Sequence, residues 1–148
     1  MAVLTTDILL TGIRRDMVFD WIGDFSNHKN FLTNAFDSVK EISDTSLELK
    51  FKAKFKSRKM TYTFLENDSS HGGRRVKIKT EGKRTTGIIS YSLRTMKPSS
   101  NTLVTMHFDY NPGNALGVAL NAVSIREILE KYFTATLENI ATNIKATN

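Results

Sequence analysis

Residues 47–56 read LELKFKAKFK, with an apolar residue at every odd position and a charged residue at every even one. Because successive side chains of a β-strand point to opposite faces of the sheet, this alternation predicts a strand with one buried and one solvated face. The same period continues over residues 60–64 and 76–78. The centre of the chain therefore predicts antiparallel strands with one wet face.

Further strands are predicted on both sides of this centre. Weak alternation over residues 2–12 indicates one strand, and residues 39–43, 86–96 and 102–110 indicate three more. Turn-forming residues separate the later strands at 67–73 and 97–101. Short connections between alternating segments predict an antiparallel sheet of about seven strands.

Two regions have helical rather than strand periodicity. Apolar side chains recur at helical spacing over residues 14–24, and Ser26 is a suitable N-cap for a second short helix. Residues 115–145 contain no proline, and their apolar side chains gather on one stripe. The buried face of the sheet is the natural partner of that stripe. We therefore expect one α+β domain over residues 1–148, with a curved sheet around a long C-terminal helix.

One motif supports the same architecture by resemblance. Residues 18–32 read VFDWIGDFSNHKNFL, which is similar to the first-helix signature of the START-related (SRPBCC) superfamily of polyketide cyclase/dehydrase, lipid-transport and birch-pollen-allergen-like proteins. The resemblance covers essentially the whole chain. It implies the helix-grip fold, in which sheet and helix enclose an apolar cavity. The TNAF segment at 33–36 lacks the proline-rich turn of the coenzyme-Q-binding branch, which disfavours ubiquinone, and the iron site of the ring-hydroxylase branch is not seen.

The predicted fold turns a set of aromatic and apolar side chains toward the space between sheet and helix. Buried tyrosine hydroxyls need hydrogen-bond partners, so the four tyrosines are candidate polar groups of a ligand site. A packed core without a ligand is the alternative for the same residues. The predicted cavity residues are Phe51, Phe55, Tyr62, Phe64, Ile78, Tyr91, Phe108, Tyr110, Ile125, Leu129, Tyr132 and Thr136.

The start of the long helix predicts an entrance to this cavity. Residues 114–123 are apolar almost all round, and Leu116 and Leu120 project away from the core stripe. Together with Phe25 and Phe31 of the short helices, they form the predicted portal. Packing against those helices, or a dimer contact, is the alternative.

Basic charge is concentrated in the central strands. The chain has a net charge of +6, and residues 40–84 contain 13 basic and 6 acidic residues. Such a surface would attract anionic lipid headgroups or phosphates. Few aromatic residues are interleaved for base stacking, which disfavours nucleic acid. Lysines also keep strands from aggregating, so a solvated face is the favoured interpretation.

Nothing in the sequence requires an enzyme. The histidines at 28, 71 and 107 are scattered, and no phosphate loop, nucleophile elbow or zinc motif occurs. We therefore expect no metal and no cofactor. By strand parity His107 should face solvent, and Glu41 should face inward beside Val39.

The leading hypothesis is binding or transport of a lipid, isoprenoid or polycyclic aromatic. A polyketide cyclase/dehydrase-like enzyme using cavity tyrosines and a carboxylate is one alternative, and an interaction module using the basic face is another. The chain has no cysteine and no apolar run of the ~18 residues that span a bilayer. We expect a cytoplasmic protein that is not an integral membrane protein.

Overall fold

The fold consists of one antiparallel sheet, two short helices and one long helix. The computed structural model describes residues 2–53, 56–82, 86–111 and 122–147. The elements in chain order are β1 (Ala2–Leu10), α1 (Arg15–Gly23), a 3-10 helix (Phe25–Asn27), α2 (His28–Leu32), β2 (Ser38–Ser43), β3 (Ser46–Ala53), β4 (Lys56–Asp68), a 3-10 turn (Ser70–Gly72), β5 (Arg75–Gly82), β6 (Thr86–Met96), β7 (Asn101–Asn111) and α3 (Ala122–Thr147).

Strands β2 to β7 pair in chain order as an antiparallel meander, and β1 completes the sheet by pairing with β7. Over the described residues the sheet has seven strands in the order β1-β7-β6-β5-β4-β3-β2. The pairing register shifts between Phe64 and Glu66 on β4, and between Glu41 and Ser43 on β2. Such bulges bend a strand and increase its twist. They contribute to the curvature of the sheet.

The short helices are positioned by burial of one face and by a side-chain cap. Val18 and Ile22, one helical turn apart, are the buried residues of α1. Asp24 then caps the 3-10 helix, because its Oδ1 accepts hydrogen bonds from the Ser26 backbone N–H (3.1 Å) and from the Ser26 hydroxyl (2.7 Å). The prediction of Ser26 as the N-cap of the second short helix was wrong: Ser26 lies within the 3-10 helix that Asp24 caps, and α2 begins after Asn27 with no side-chain cap hydrogen bond.

The concave face of the sheet holds the core. Alternate residues of β7 from Thr102 to Tyr110 are buried, whereas His107 is exposed, as parity predicted. The stripe of α3 that includes Leu129, Phe133 and Leu137 is also buried. The seven-stranded curved sheet, the short helices after β1 and the long C-terminal helix together form the predicted α+β helix-grip fold.

α3 crosses the concave face from one side of the sheet to the other. Its closest contacts are with β1 and β7 on one side, with β3 on the other, and with α2. Among the described helices, none is long and apolar enough to cross a membrane. Phe55 and residues 115–121 of the predicted long helix lie outside the described part of the chain.

Candidate functional site

His28 is a fully buried ionisable side chain of the short helices. It begins α2, where Phe31 and Leu32 follow at three and four residues and therefore lie on the same helix face. All three side chains are buried, and His28 is 0% exposed. The ring of Phe25 stacks on the imidazole with a centroid distance of 5.0 Å. The helix thus carries a histidine into the core.

Three side chains form what we call the buried polar chain: His28, Tyr62 on β4 and Tyr91 on β6. The His28 Nδ1 atom lies 2.6 Å from the Tyr62 hydroxyl, which lies 2.7 Å from the Tyr91 hydroxyl. On the other side of the ring, Nε2 lies 2.6 Å from the carbonyl oxygen of Ile22. Both tyrosines are 0% exposed. The hydrogen bonds therefore link α1, α2 and two central strands.

The direction of these hydrogen bonds follows from the Ile22 carbonyl. A carbonyl oxygen only accepts, so His28 Nε2 carries a proton and donates it. In a neutral imidazole Nδ1 is then an acceptor, which requires Tyr62 to donate to it. The Tyr62 oxygen in turn accepts the proton of Tyr91. All the hydrogen bonds of the buried polar chain therefore run in one direction, from Tyr91 through Tyr62 and His28 to the Ile22 carbonyl.

Burial holds all three groups in their neutral forms. Desolvation lowers the pKa of His28 from 6.5 to about 4 against the opposing effects of the Ile22 carbonyl and Asp24. Desolvation also raises the pKa of Tyr62 and that of Tyr91 well above the ordinary tyrosine value. At neutral pH the imidazole is uncharged and both phenols keep their protons.

The two tyrosines meet over the central strand β5. Tyr62 lies opposite Thr80, and Tyr91 lies opposite Val76. Ile78 is midway between those two β5 residues and is itself buried. The two tyrosine hydroxyls meet across β5, from β4 on one side and β6 on the other. The sequence predicted both residues for one site, and the structure brings them together.

Tyr132 lies elsewhere, at the edge of the sheet. Its hydroxyl accepts a hydrogen bond from the Lys52 backbone N–H (2.9 Å) and donates to the Asp37 carboxylate (3.2 Å). Because β2 begins at Ser38, opposite Lys50, β2 offers no partner to that N–H. The Tyr132 hydroxyl therefore accepts the hydrogen bond that the Lys52 N–H would otherwise donate to a neighbouring strand. Tyr132 therefore ties α3 to β3 instead of contributing a polar group beside Tyr62.

Tyr110 occupies a third place, near the start of the described part of α3. It stacks on Phe108 with a centroid distance of 4.7 Å, and Phe108 also contacts Phe133 edge-on at 5.3 Å. Gly87 on β6 lies beneath this pair: a Cβ there would be 2.6 Å from the Phe108 ring. Burial raises the pKa of Tyr110, while the charge of Arg126 lowers it. The four tyrosines thus occupy three separate places.

The other predicted cavity residues are mostly buried, although their burial does not test ligand binding. Thr136 is 0% exposed, but its hydroxyl donates to the Tyr132 carbonyl oxygen within α3 (2.8 Å). The side chains of Phe55 and Ile125, and the portal residues Leu116 and Leu120, lie outside the described part. Phe51, Ile78, Phe108 and Leu129 are buried, and Phe64 is half-buried.

The portal aromatics of the short helices cover the buried polar chain. Phe25 is half-buried against His28 and Tyr62, at centroid distances of 5.0 and 5.9 Å. Phe31 is fully buried and contacts Trp21 at 5.7 Å. The portal itself stays a prediction.

The inward carboxylate predicted at Glu41 is instead at the exposed rim. Glu41 lies opposite Leu47 and so shares its face of the sheet. Its side chain is 54% exposed and lies 3.6 Å from the Lys29 ammonium. Strand parity gave the correct face of the sheet for Glu41, but β2 is an edge strand and most of its residues are exposed.

Part of the basic face is compensated by acidic neighbours. Several of its lysines form exposed or half-exposed ion pairs, which reduce the local positive potential and contribute little stability. These pairs join Lys59 to Glu48 (4.0 Å), Lys77 to Glu66 and Asp68 (3.4 and 3.5 Å), and Lys79 to Glu81 (2.8 Å). The structure supports a solvated face and gives no support for a partner there.

A shallow concavity lies on the outer face of α3. It is open to solvent and lined mainly by charged side chains, including Glu127, Glu130 and Glu138. An apolar ligand would gain little from such a lining. Within the described residues, no group of three or more histidines and carboxylates is placed to hold a metal ion. The buried polar chain and its apolar surroundings are therefore the best candidate site.

Comparisons with known proteins agree with this architecture. The family model described as polyketide cyclase/dehydrase and lipid transport matches residues 1–145. A search of curated protein sequences finds no match.

Several solved structures share the fold at low sequence identity. Norcoclaurine synthase from Thalictrum flavum, a point mutant in complex with a transition-state analogue, is 13% identical, covers 99% of this chain and 95% of its own, and has a TM-score of 0.70. The Zhui aromatase/cyclase from Streptomyces sp. R1128 is 10% identical over 97% and 93% of the chains, with a TM-score of 0.67. A START superfamily protein from Mycobacterium smegmatis is 6% identical over 99% of both, with a TM-score of 0.64. At these identities the likeness shows the fold alone, whereas the family model covers nearly the whole chain. The chain therefore belongs to the polyketide cyclase/dehydrase and lipid transport family.

Proposed function

We propose that the protein binds a hydrophobic small molecule, such as a lipid, an isoprenoid or a polycyclic aromatic, between the concave face of the sheet and α3. The observation that carries this proposal is the way α3 spans the sheet. Its closest contacts are with β1 and β7 on one side and β3 on the other, while the central strands β4, β5 and β6 lie farther away. We infer that a helix supported at both sides of a curved sheet leaves room for a ligand over the centre of the sheet.

The side chains that face this space suit an apolar ligand with one polar group. Ile78, Ile89 and Phe133 belong to the same buried core as Tyr62 and Tyr91, whose hydroxyls are hydrogen-bonded to each other. Ligand pockets are mostly apolar with a small number of fixed polar groups. A ligand would gain about 25 cal/mol for each Å² of apolar surface it buries, before the costs of association.

The enzyme alternative has one supporting observation, the buried polar chain, and two against it. It requires an interior carboxylate, yet all 15 Asp and Glu residues of the chain are described and none is buried. Asp109 has one buried oxygen without a partner, but it alternates with Phe108 and Tyr110 and so lies on the outer face.

Proton transfer through His28 is also costly. With a pKa of about 4, protonating this imidazole at pH 7 costs about 4 kcal/mol. A general base works best when its pKa is near the operating pH. We therefore favour a binding protein over an enzyme. Its cytoplasmic location and the transport role stay predictions.

A single substitution at the centre of the concave face tests the proposal. Ile78→Phe adds a ring where the ligand would lie, and Ile42→Phe on the exposed face of β2 is the matched control. Binding of the fluorescent probe N-phenyl-1-naphthylamine would be titrated, and stability measured by urea denaturation. We expect saturable binding of one probe per chain by the unsubstituted protein. Ile78→Phe should lower the affinity at least about tenfold without loss of stability, and Ile42→Phe should change neither.

A filled interior would give a different result. Overpacking a closed core costs about 1–3 kcal/mol. If the unsubstituted protein takes up no probe and Ile78→Phe loses stability by this amount, the space is occupied by the protein's own side chains and the proposal is wrong.

A further inference from the structure

The buried polar chain begins at the Ile22 carbonyl, and this carbonyl fixes the position of the His28 proton on Nε2. Ile22 lies in the last turn of α1, where carbonyl oxygens have no partner within the helix. The Nε2 proton of His28 satisfies that carbonyl. Moving the proton to Nδ1 would leave a buried carbonyl without a donor, which is costly. The hydrogen bonds therefore cannot reverse their direction without loss.

The buried polar chain ends at the Tyr91 oxygen. His28 uses both ring nitrogens, and Tyr62 donates to one neighbour and accepts from the other. Tyr91 donates its proton to Tyr62. Among the described residues, the Tyr91 oxygen receives no hydrogen bond, although a hydroxyl oxygen has two lone pairs that can accept one.

The polar side chains next to Tyr91 are Tyr62 and His28, and both are already hydrogen-bonded within the buried polar chain. The strand neighbours of Tyr91 in register are Val76 and Met106, both buried. The Phe31 ring lies edge-on at 6.1 Å. A ligand group that reaches this place meets apolar side chains and one oxygen whose proton is already committed.

We propose that the ligand is a hydrophobic alcohol or phenol whose hydroxyl donates a hydrogen bond to the Tyr91 oxygen. This inference rests on the proposed function and names the ligand class of the same site. A carbonyl or ether oxygen at that position would face a lone pair, and it could gain a donor only by taking the Tyr91 proton away from Tyr62. The fixed polarity of the buried polar chain thus selects hydrogen-bond donors over acceptors.

Matched probes separate this selection from hydrophobicity. 2-Naphthol and 2-methylnaphthalene have nearly the same shape, but only the first has a donor, and the second is the more hydrophobic. Burial of apolar surface alone would therefore favour 2-methylnaphthalene. Affinities would be measured by equilibrium dialysis. We expect 2-naphthol to bind at least about tenfold more tightly.

Two variants test the role of each hydroxyl. Tyr91→Phe removes the terminal oxygen and should abolish the preference for 2-naphthol. Tyr62→Phe removes the acceptor of the Tyr91 proton, which frees Tyr91 to donate and should shift the preference toward 2-naphthaldehyde. Thr102→Val is the control, because it deletes a buried hydroxyl that bonds the Ile13 carbonyl (2.7 Å), away from the buried polar chain. It should leave the probe preference unchanged.

The outcomes distinguish this inference from the function on which it rests. If both probes bind and 2-methylnaphthalene binds more tightly, the donor selection is wrong while ligand binding stands. If the unsubstituted protein binds no naphthalene probe, both proposals fail. A preference that Tyr91→Phe leaves intact also overturns the inference. Should that variant fail to fold, the probe pair on the unsubstituted protein decides.

Discussion

Lowering the pH from 7.5 to 4.5 is expected to destabilise the protein by about 2.5 kcal/mol through His28 alone. The pKa of this side chain is lowered from 6.5 to about 4 in the fold, because burial disfavours the imidazolium. Above pH 6.5 both folded and unfolded chains carry neutral histidine, and the stability is fully present. Between pH 6.5 and 4 the unfolded chain binds a proton that the folded chain does not. Stability therefore falls by up to about 1.4 kcal/mol for each pH unit.

The assay is urea denaturation followed by the fluorescence of Trp21, the one tryptophan of the chain. His28→Gln keeps an amide that can donate and accept but does not titrate. The difference in unfolding free energy between this variant and the unsubstituted protein should shrink by about 2.5 kcal/mol on going from pH 7.5 to 4.5. Asp68, whose pKa is lowered to about 2 mainly by hydrogen bonds from Ser70, affects stability only below the ordinary aspartate value, outside most of this interval.

His107→Gln is the matched control. This histidine is exposed, with its Nδ1 3.2 Å from the Thr5 hydroxyl. Its replacement leaves His28 in place, so the acid dependence should persist. Parallel pH profiles for His28→Gln and the unsubstituted protein would refute the conclusion that His28 is buried in neutral form.

Two further substitutions test the packing around the site. Gly87→Ala would place a Cβ 2.6 Å from the Phe108 ring and 2.9 Å from the Asp109 carbonyl oxygen, so we expect a loss of about 1–3 kcal/mol in urea denaturation; unchanged stability would show that the Phe108 ring is not held over this glycine. Tyr132→Phe keeps the ring but removes the hydroxyl that accepts from the Lys52 N–H, and we expect a loss of about 1 kcal/mol and faster hydrogen exchange at the Lys52 amide. An exchange rate equal to that of the unsubstituted protein would contradict this edge contact.

The strand pattern could be predicted because it depends on local alternation. In a sheet with one buried face, the alternation of apolar and charged residues over 47–56 determines which face of the strand is buried. The antiparallel arrangement followed from the short connections between strands, whereas the pairing of β1 with β7 joins distant parts of the sequence. The apolar stripe of the long helix predicted its place on the buried face of the sheet, and the family resemblance implied the same helix-grip fold, which the comparisons and the structure confirm.

The buried polar chain could be predicted only in part. Tyr62 and Tyr91 lie on strands that are not neighbours, and sequence periodicity gives no information on whether two side chains reach across an intervening strand. His28 was missed because its neighbours Asn27 and Lys29 are polar. Its spacing of three and four residues from Phe31 and Leu32 was the available signal for a buried position.

The edge contact of Tyr132 could not be predicted either, because it depends on where β2 begins. A partner of the Lys52 N–H is required only because β2 starts opposite Lys50, and strand ends are set by tertiary packing rather than by local pattern. The exposed position of Glu41 has the same cause: parity gives the face of a strand but not how far the covering layer extends.

Native mass spectrometry tests the central claim most directly. The purified protein would be measured as isolated and after incubation with long-chain isoprenoid alcohols, phospholipids and polycyclic phenols, and any bound compound would be extracted into organic solvent and identified. We predict a complex of the chain with one hydrophobic molecule, of a mass that the extract accounts for. A protein that keeps the mass of the bare chain with every compound would contradict ligand binding in the space between the sheet and α3.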